Sequence, residues 1–427
     1  MIAPSILGLC QAVAEAGGRA LLVGGWVRDY LLGRERSDYD LEVYRLEAVP
    51  LRALLARLGP VNSVGEAYTV YKVRLPAGGG SPSLVVDVSL PRRESKIGRG
   101  HRAFLVTGDP SMSFEEAARR RDLTINAVML DPLTGELLDP YHGREDLAAR
   151  RLRVVDPATF VEDSLRVLRL VQFAARLSFT IEPATIALCR TIDLSDLPAE
   201  RIWGEVEKWL LQAQAPSIGL HAASDLGVLD RLWPELLPQR NVDDLTRLGV
   251  ALDAGRAECD DLPYPKRVAV MLALLCRSMS DPGAFLESLR LQRLGQYDVR
   301  RQILALHAHR GLPARWHHEE EAGRPISNGQ FRRLALAVEP GLLARVESAI
   351  LAPTSALAWF RARVEELDLE VAAPAPLLLG RHLLALGVEP GPRVGQLTRL
   401  VYEMQLDDQV TSLDEAICAA RKLLSTS

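Results

Sequence analysis

Asp38 and Asp40 open "DYDLEVY", a run that alternates as a β-strand does. Successive strand side chains point to opposite faces, so these two carboxylates leave the strand on the same side. Two anions so placed repel each other unless a cation lies between them. A hard divalent ion such as Mg2+, which keeps waters and takes one or two carboxylates together with substrate phosphates, meets that need. Asp87 in "VVDVS" supplies a third carboxylate if its strand packs beside the first. Upstream, Gly24-Gly25 lets backbone approach a ligand closely, and a helix beginning at Trp26 aims free N–H groups at it. Arg28, in that first turn, offers a cation to a phosphate. The stretch therefore reads as a site for a metal-bound triphosphate. A solvated strand end beyond a plain turn is the competing reading of either motif alone.

Two further motifs extend the chemistry. "EEAARRRDLTINAVMLDP" puts Arg119, Arg120, Arg121 and Asp122 at the end of a helical run and the polar Asn126 among apolar residues. A basic helix end favoured by the dipole is the plain alternative. In "VEDSLRVLRLVQFAARLSF", Asp163 and Arg166 stand three apart on one helical face, the spacing of an ordinary surface ion pair. A carboxylate only accepts and a guanidinium only donates. Cytosine and adenine each present an amino donor beside a ring-nitrogen acceptor, whereas uracil and guanine present a carbonyl beside an N–H. A fixed Asp–Arg pair thus matches CTP and ATP and mismatches UTP and GTP.

The elements that must position these groups are legible around them. "ALLVGG" reads as a buried strand, "WVRDYLLG" as a short helix, and "VPLRALLARLG" as an amphipathic helix. "AYTVYKVRLP" and "SLVVDVSLP" flank "AGGGSPS" as a β-hairpin. From about residue 141 helical periodicity takes over and persists, with breaks near 261–265 and 372–376. The fold class expected is α+β: a catalytic α/β head with a small mixed sheet over 1–140, then an all-helical remainder. That remainder divides into a neck over 141–235 with the nucleotide-selecting motif, a body over 236–370 and a tail over 371–427.

With 427 residues, two to four domains are expected. The formal charge of −4 says nothing about a polyanionic partner. Lysine occurs only at Lys72, Lys96, Lys208, Lys266 and Lys422, so arginine carries nearly all the positive charge. Cys10, Cys189, Cys259, Cys276 and Cys418 are scattered, which argues against a disulfide framework or structural zinc and fits a reducing cytoplasm. No stretch is long and apolar enough to span a membrane, and the first residues read as folded protein rather than a signal peptide.

Taken together, "GGWVRD-x3-LG-x4-DYD", "RRRDLTINA", "EDSLR" and "ERIWGE" resemble the bacterial-type class II tRNA nucleotidyltransferase and poly(A) polymerase family over roughly residues 20–235. Weaker similarity continues to the end. The resemblance implies addition of CCA, or its terminal A, to a tRNA 3′ end from CTP and ATP, with Mg2+ and release of pyrophosphate. It implies catalytic roles for Asp38, Asp40 and Asp87, metal binding by Asp38 and Asp40, and a triphosphate turn at Gly24, Gly25 and Arg28. Arg121, Asp122 and Asn126 match an element near the sugar and phosphates. Asp163 with Arg166 matches the amino-acid template for the base, and Arg169 joins the nucleotide-binding set. Glu200, Arg201 and Glu205 match a motif that supports the neck. Residues 92–104, carrying Arg92, Arg93, Lys96, Arg99 and Arg102, correspond to a flexible loop associated with adding the terminal A. Arg150, Arg151, Arg153 and Arg176 are candidates for the tRNA backbone.

Two departures bear on the function. Many relatives carry a metal-dependent phosphohydrolase domain marked by His-Asp after an apolar helix, whereas "VMLALLCRSMSDP" places Arg277 and Ser278 there. The body is thus degenerate as a phosphohydrolase. "VGEAYTV" has Glu66 and Ala67 where poly(A) polymerases of this type carry a basic pair, which lowers poly(A) synthesis as a reading. An A-adding specialist stays close behind full CCA addition. A non-catalytic RNA-binding protein is the alternative of another class, and it would have no need of the paired acids. The sequence leaves oligomeric state open.

Overall fold

In the computed structural model, the residues described are 2–34, 38–63, 70–76, 83–96, 104–236, 242–350 and 354–425. Glu66, Ala67, Arg99 and Arg102 lie outside them, as does the Lys96 side chain. The chain forms two units, one of residues 1–206 with 222–232, the other of 207–221 with 233–427.

The first unit opens with α1 (Pro4–Glu15), β1 (Arg19–Leu22), α2 (Gly25–Leu31), β2 (Tyr39–Tyr44) and α3 (Ala48–Leu58). It continues with β3 (Val61–Ser63), β4 (Val70–Leu75), β5 (Leu84–Ser89), β6 (Arg92–Lys96) and β7 (Phe104–Gly108). Then come α4 (Phe114–Arg119), a 3-10 turn at Thr124–Asn126, β8 (Met129–Leu130), β9 (Leu137–Leu138) and α5 (Gly143–Ala148). Seven strands make one mixed sheet in the order β3-β4-β5-β2-β1-β8-β9. β2 and β5 run parallel and the other pairs antiparallel. The expected hairpin is β4–β5, and it packs beside β2 with Asp40 in register with Asp87.

Period-two alternation gives the sheet two distinct faces. On one, Leu22, Leu41, Val43, Val73, Val86 and Val88 pack with Ile6, Leu9 and Val13 of α1 and Leu51, Leu54 and Leu55 of α3. On the other, Leu21, Val23, Tyr44 and Met129 meet Ala117 and Ala118 of α4. Asp40, Glu42 and Asp87 share this second face, so the strand that fills one core also presents acids to the far side. α4 starts in a capping box: the Ser113 hydroxyl accepts from the Glu116 N–H at 3.2 Å and Glu116 accepts from the Ser113 N–H at 3.0 Å.

The unit then runs through β10 (Arg151–Leu152), α6 (Pro157–Phe160), α7 (Leu165–Leu177), β11 (Thr180–Ile181), α8 (Pro183–Thr191) and α9 (Ala199–Gln212), whose last residues belong to the second unit. A buried polar network fastens α7 to the head. Asp122 Oδ2 accepts from Arg169 Nε at 2.7 Å, and Oδ1 accepts from Asn126 Nδ2 at 2.9 Å and the Leu123 N–H at 2.8 Å. Asn126 Oδ1 accepts from Arg28 at 2.8 Å, and Arg28 is clasped by both oxygens of Asp29 at 2.8 and 2.9 Å. Arg28 and Arg169 both lie over the Phe173 ring, at 5.1 and 5.3 Å. Burial alone would push the Asp122 carboxyl up, but the Arg169 charge and the Asn126 and Arg169 hydrogen bonds hold it below the usual carboxylate value.

Beneath the 3-10 turn, buried Asp146 accepts from Thr124 Oγ1 at 2.6 Å, Arg151 at 2.6 Å and Arg153 at 2.8 Å. Arg151 and Arg153, read from sequence as tRNA contacts, thus neutralise a buried acid of the fold.

The second unit is helical. In Tyr264–Leu275, every residue from Val268 onward is buried, and Arg277, just beyond it, pairs with buried Glu347 at 3.1 Å. Glu347 also accepts from the Gly311 N–H at 2.9 Å, and His307 Nε2 faces the Met279 carbonyl at 3.0 Å. Leu378, Leu383, Leu397, Val401 and Ala416 form a separate apolar cluster in the last helices. No helix among the described residues is long and apolar enough to cross a membrane.

Two predictions follow from the packing around the 3-10 turn. A Cβ on Gly143 would lie 2.1 Å from the Thr124 carbonyl oxygen, so Gly143→Ala is expected to cost about 1–3 kcal/mol and lower the thermal midpoint; an unchanged midpoint would contradict this close approach. The Asp122 carboxyl is lowered by folding, so its stabilisation is complete above its unfolded value of about 3.9 and is lost as pH falls through the folded value. Asp122→Asn should cost about 3–5 kcal/mol at neutral pH by stranding Arg169, and should flatten the acid loss of stability. Unfolding curves of both proteins across pH 2–7 that stay parallel would refute it.

Candidate active site

A cavity of about 530 Å3 lies wholly in the first unit, between the acidic face of the sheet, the Gly24 turn, the end of α4 and the start of α7. Gly24 has φ 68°, and a Cβ there would sit 3.2 Å from Arg121 Nη1 and 3.9 Å from Asp40 Oδ2. Glycine at this corner lets a guanidinium and a carboxylate approach the same turn.

Asp40 and Asp87 line the cavity from adjacent strands. Asp38 precedes β2, is exposed, and is not part of the lining. Lys72 holds the Asp87 carboxylate at 3.0 Å. Among the described residues no group of three or more His, Cys, Asp or Glu side chains is placed to hold a metal ion. The donor set still fits a hard cation that completes its shell with water and phosphate oxygens, since Asp40 opens into the cavity in register with Asp87; Asp38, expected on the same strand face, precedes the strand instead.

Facing the acids is a wall of arginines: Arg28, Arg120, Arg121, Arg166, Arg169 and Arg201. They are not equivalent. The bonds to Asp29 and Asn126 use three of the five N–H groups of buried Arg28. Arg166 donates to the carbonyls of Thr159 and Arg120, both at 2.8 Å, and so pins α7 to the end of α4. Arg121 has its Nε buried with no partner, and its nearest acid, Glu42, lies 3.8 Å away.

Asp163 lies in the turn before α7, a correction to the single helical face expected from its spacing to Arg166. Its Oδ1 accepts from the Leu165 N–H at 3.2 Å, the local bond that favours aspartate ahead of a helix. Oδ2 accepts from Arg201 at 3.1 Å. Asp163 and Arg166 both open into the cavity, as the base-reading idea requires. Arg201, read from sequence as neck support, is a cavity residue as well. Glu205 is buried near Arg169 and helps keep it charged, after the larger effect of Asp122; Glu200 begins α9 outside the lining. Arg92 reaches the cavity from β6, while Arg93 is bound to Asp109 at 2.6 Å.

Sequence reasoning missed Glu42. It lines the cavity, is only 9% exposed, and accepts from the Tyr44 hydroxyl at 2.6 Å. The signal was present, since Glu42 continues the alternation of Asp38 and Asp40.

The chain matches two family models in order: "Poly A polymerase head domain" over residues 20–153 and "Probable RNA and SrmB- binding site of polymerase A" over 178–239. It is 42% identical over 231 residues to the multifunctional CCA protein of Xanthomonas campestris pv. campestris, covering 51% of this chain and 53% of that one. It is 40% identical, with the same coverage, to the multifunctional CCA protein of Stenotrophomonas maltophilia. The chain thus spans about half the length of these curated relatives. Its fold is similar to a Bacillus stearothermophilus CCA-adding enzyme in complex with CTP, at TM-score 0.70 and 22% identity, covering 100% of this chain and 99% of that one. It is also similar to a Thermotoga maritima CCA-adding enzyme complexed with tRNA, at TM-score 0.67 and 20% identity over 99% and 96% of the two chains. The first family model runs through the strands and turns that build the acidic wall.

Proposed function

We propose that this chain adds nucleotides to the 3′ end of tRNA without a nucleic-acid template, completing CCA from CTP and ATP and releasing pyrophosphate. The observation that carries this reading is one cavity lined by the carboxylates Asp40, Glu42 and Asp87, by a set of arginines and by the Asp163–Arg166 pair. The curated relatives named multifunctional CCA proteins support it. We assign catalysis to residues 1–140, nucleotide choice to 141–235, and tRNA contacts to the helical tail of 371–427, with the degenerate body of 236–370 between them. The four buried free cysteines suit a reducing cytoplasm.

The reaction is in-line attack of the RNA 3′-hydroxyl on the α-phosphate. Family members use a divalent metal, and here Asp38 and Asp40 would hold Mg2+. When bound, such an ion lowers the pKa of the attacking hydroxyl and offsets charge on the entering and leaving oxygens. Asp87, held by Lys72, adds negative potential on the same wall. Arg121, with donors unspent, takes the triphosphate, and the Gly24 turn lets backbone close on it. Asp163 accepts the amino group of cytosine or adenine while Arg166 donates to the ring nitrogen. Anchoring of Asp163 by Arg201 and of Arg166 by two carbonyls keeps the pair from re-forming around uracil.

The test is extension of two tRNA transcripts, one lacking all of CCA and one ending in CC, with Mg2+ and CTP, ATP or both. Three nucleotides on the first and one on the second is the expected result. A single A added only to the CC-ended transcript would make the chain an A-adding specialist, a long A tract a poly(A) polymerase, and no extension a binding protein. Asp163→Ala should relax discrimination against UTP by about tenfold or more while leaving tRNA affinity within about twofold. Discrimination equal to wild type would sink the base-reading assignment.

A further inference from the structure

Arg121 is unusual among the cavity arginines. Its Nε is buried without a partner, and its closest acid oxygen, Glu42 Oε2, is 3.8 Å from Nη2, beyond hydrogen-bond reach. The side chain is half-buried and lines the cavity, while the Nε that is closed off has no partner to offset its burial.

The reason lies on β2. Side chains 40, 42 and 44 share one face, so Tyr44 stands beside Glu42, and its hydroxyl donates to Oε2, the same oxygen that faces Arg121, at 2.6 Å. Burial, and then the Glu42 charge and hydrogen bond, push the Tyr44 phenol up and keep it a donor. Tyr44 is itself fixed edge-on against Phe114, with ring centroids 4.7 Å apart. The Tyr44 bond thereby fixes the Glu42 carboxylate close enough to attract Arg121 by charge, but with its nearer oxygen outside hydrogen-bond reach.

We propose that Glu42 and Tyr44 are positioning residues that keep Arg121 beside a carboxylate it does not hydrogen-bond, so that a triphosphate or pyrophosphate oxygen takes its donors on binding and gives them up on release. Glu42 limits how tightly the phosphates are held, because its charge opposes theirs across Arg121. Tyr44 prevents the opposite fault, a Glu42–Arg121 hydrogen bond that would close the site to the nucleotide. The inference rests on the nucleotide-transfer reading of the cavity.

The two substitutions therefore act in opposite directions. Glu42→Gln keeps an acceptor for Tyr44 but removes the charge, and should tighten CTP and inorganic pyrophosphate by about three- to tenfold. Tyr44→Phe releases the Glu42 carboxylate to move onto Arg121 and should weaken both ligands by about three- to tenfold. The double variant should follow Glu42→Gln alone, because the phenol acts only through the carboxylate. Equilibrium binding of CTP and of pyrophosphate to the full chain in Mg2+, with a thermal melt of each variant, reads all three. Shifts in the same direction, or an unchanged Tyr44→Phe, would overturn the proposal. So would a Glu42→Gln protein with unaltered CTP binding and a raised Mg2+ requirement, which would make Glu42 a metal ligand. If wild type binds neither CTP nor ATP, the nucleotide reading itself fails; if it binds both and only the variants disobey, this inference alone fails.

Discussion

Asp122 is the constraint on which the first unit depends. A carboxylate with its surroundings closed over it survives only if both oxygens find donors, and here Arg169, Asn126 and the Leu123 N–H supply them. Each partner comes from a different piece of structure. Arg169 belongs to α7, Asn126 to the 3-10 turn, and Asn126 passes the network on to Arg28 in α2. One buried charge therefore ties the glycine turn that borders the cavity to the helix whose first turn carries Arg166. Phe173, lying beneath both Arg28 and Arg169, makes the same junction apolar on its underside.

The opposite wall follows from strand periodicity. β2 and β5 cannot bury Leu41, Val43, Val86 and Val88 on one face without turning Asp40, Glu42 and Asp87 to the other. Parallel pairing in register brings Asp40 level with Asp87. α4, capped by Ser113 and ended at Arg120, then delivers Arg121 opposite those acids. The cavity is thus assembled by alternation on one side and a helix end on the other, and charge of both signs meets across it.

Much of this was legible in the residues, because short-range rules govern it. The D-x-D alternation, the glycine turn, the β4–β5 hairpin and the change to helical periodicity all rest on local spacing. What was not legible depends on contacts distant in sequence. Nothing local says that Arg28 is buried by Asn126, ninety-eight residues away, or that Arg201 donates to Asp163, thirty-eight residues before it. Asp163 and Arg166 fit a helical face by spacing alone, but the Leu165 N–H bond sets Asp163 one turn earlier. Glu42 was overlooked because a third acid in an alternating strand looks like a solvated position, and only the packing of Tyr44 and Arg121 shows that it is enclosed. The body was read as degenerate from Arg277, and the pairing of Arg277 with buried Glu347 gives that arginine a structural place.

The central claim is that protein side chains in this one cavity, and no nucleic-acid template, hold and choose the incoming nucleotide. A crystal structure of the chain with CTP and Mg2+ in the absence of RNA tests it most directly. The account predicts the triphosphate between Asp40 and Arg121 beside the Gly24 turn, with the cytosine amino group on Asp163 and its ring nitrogen facing Arg166. A triphosphate bound elsewhere, or a base disordered until RNA is added, would contradict it.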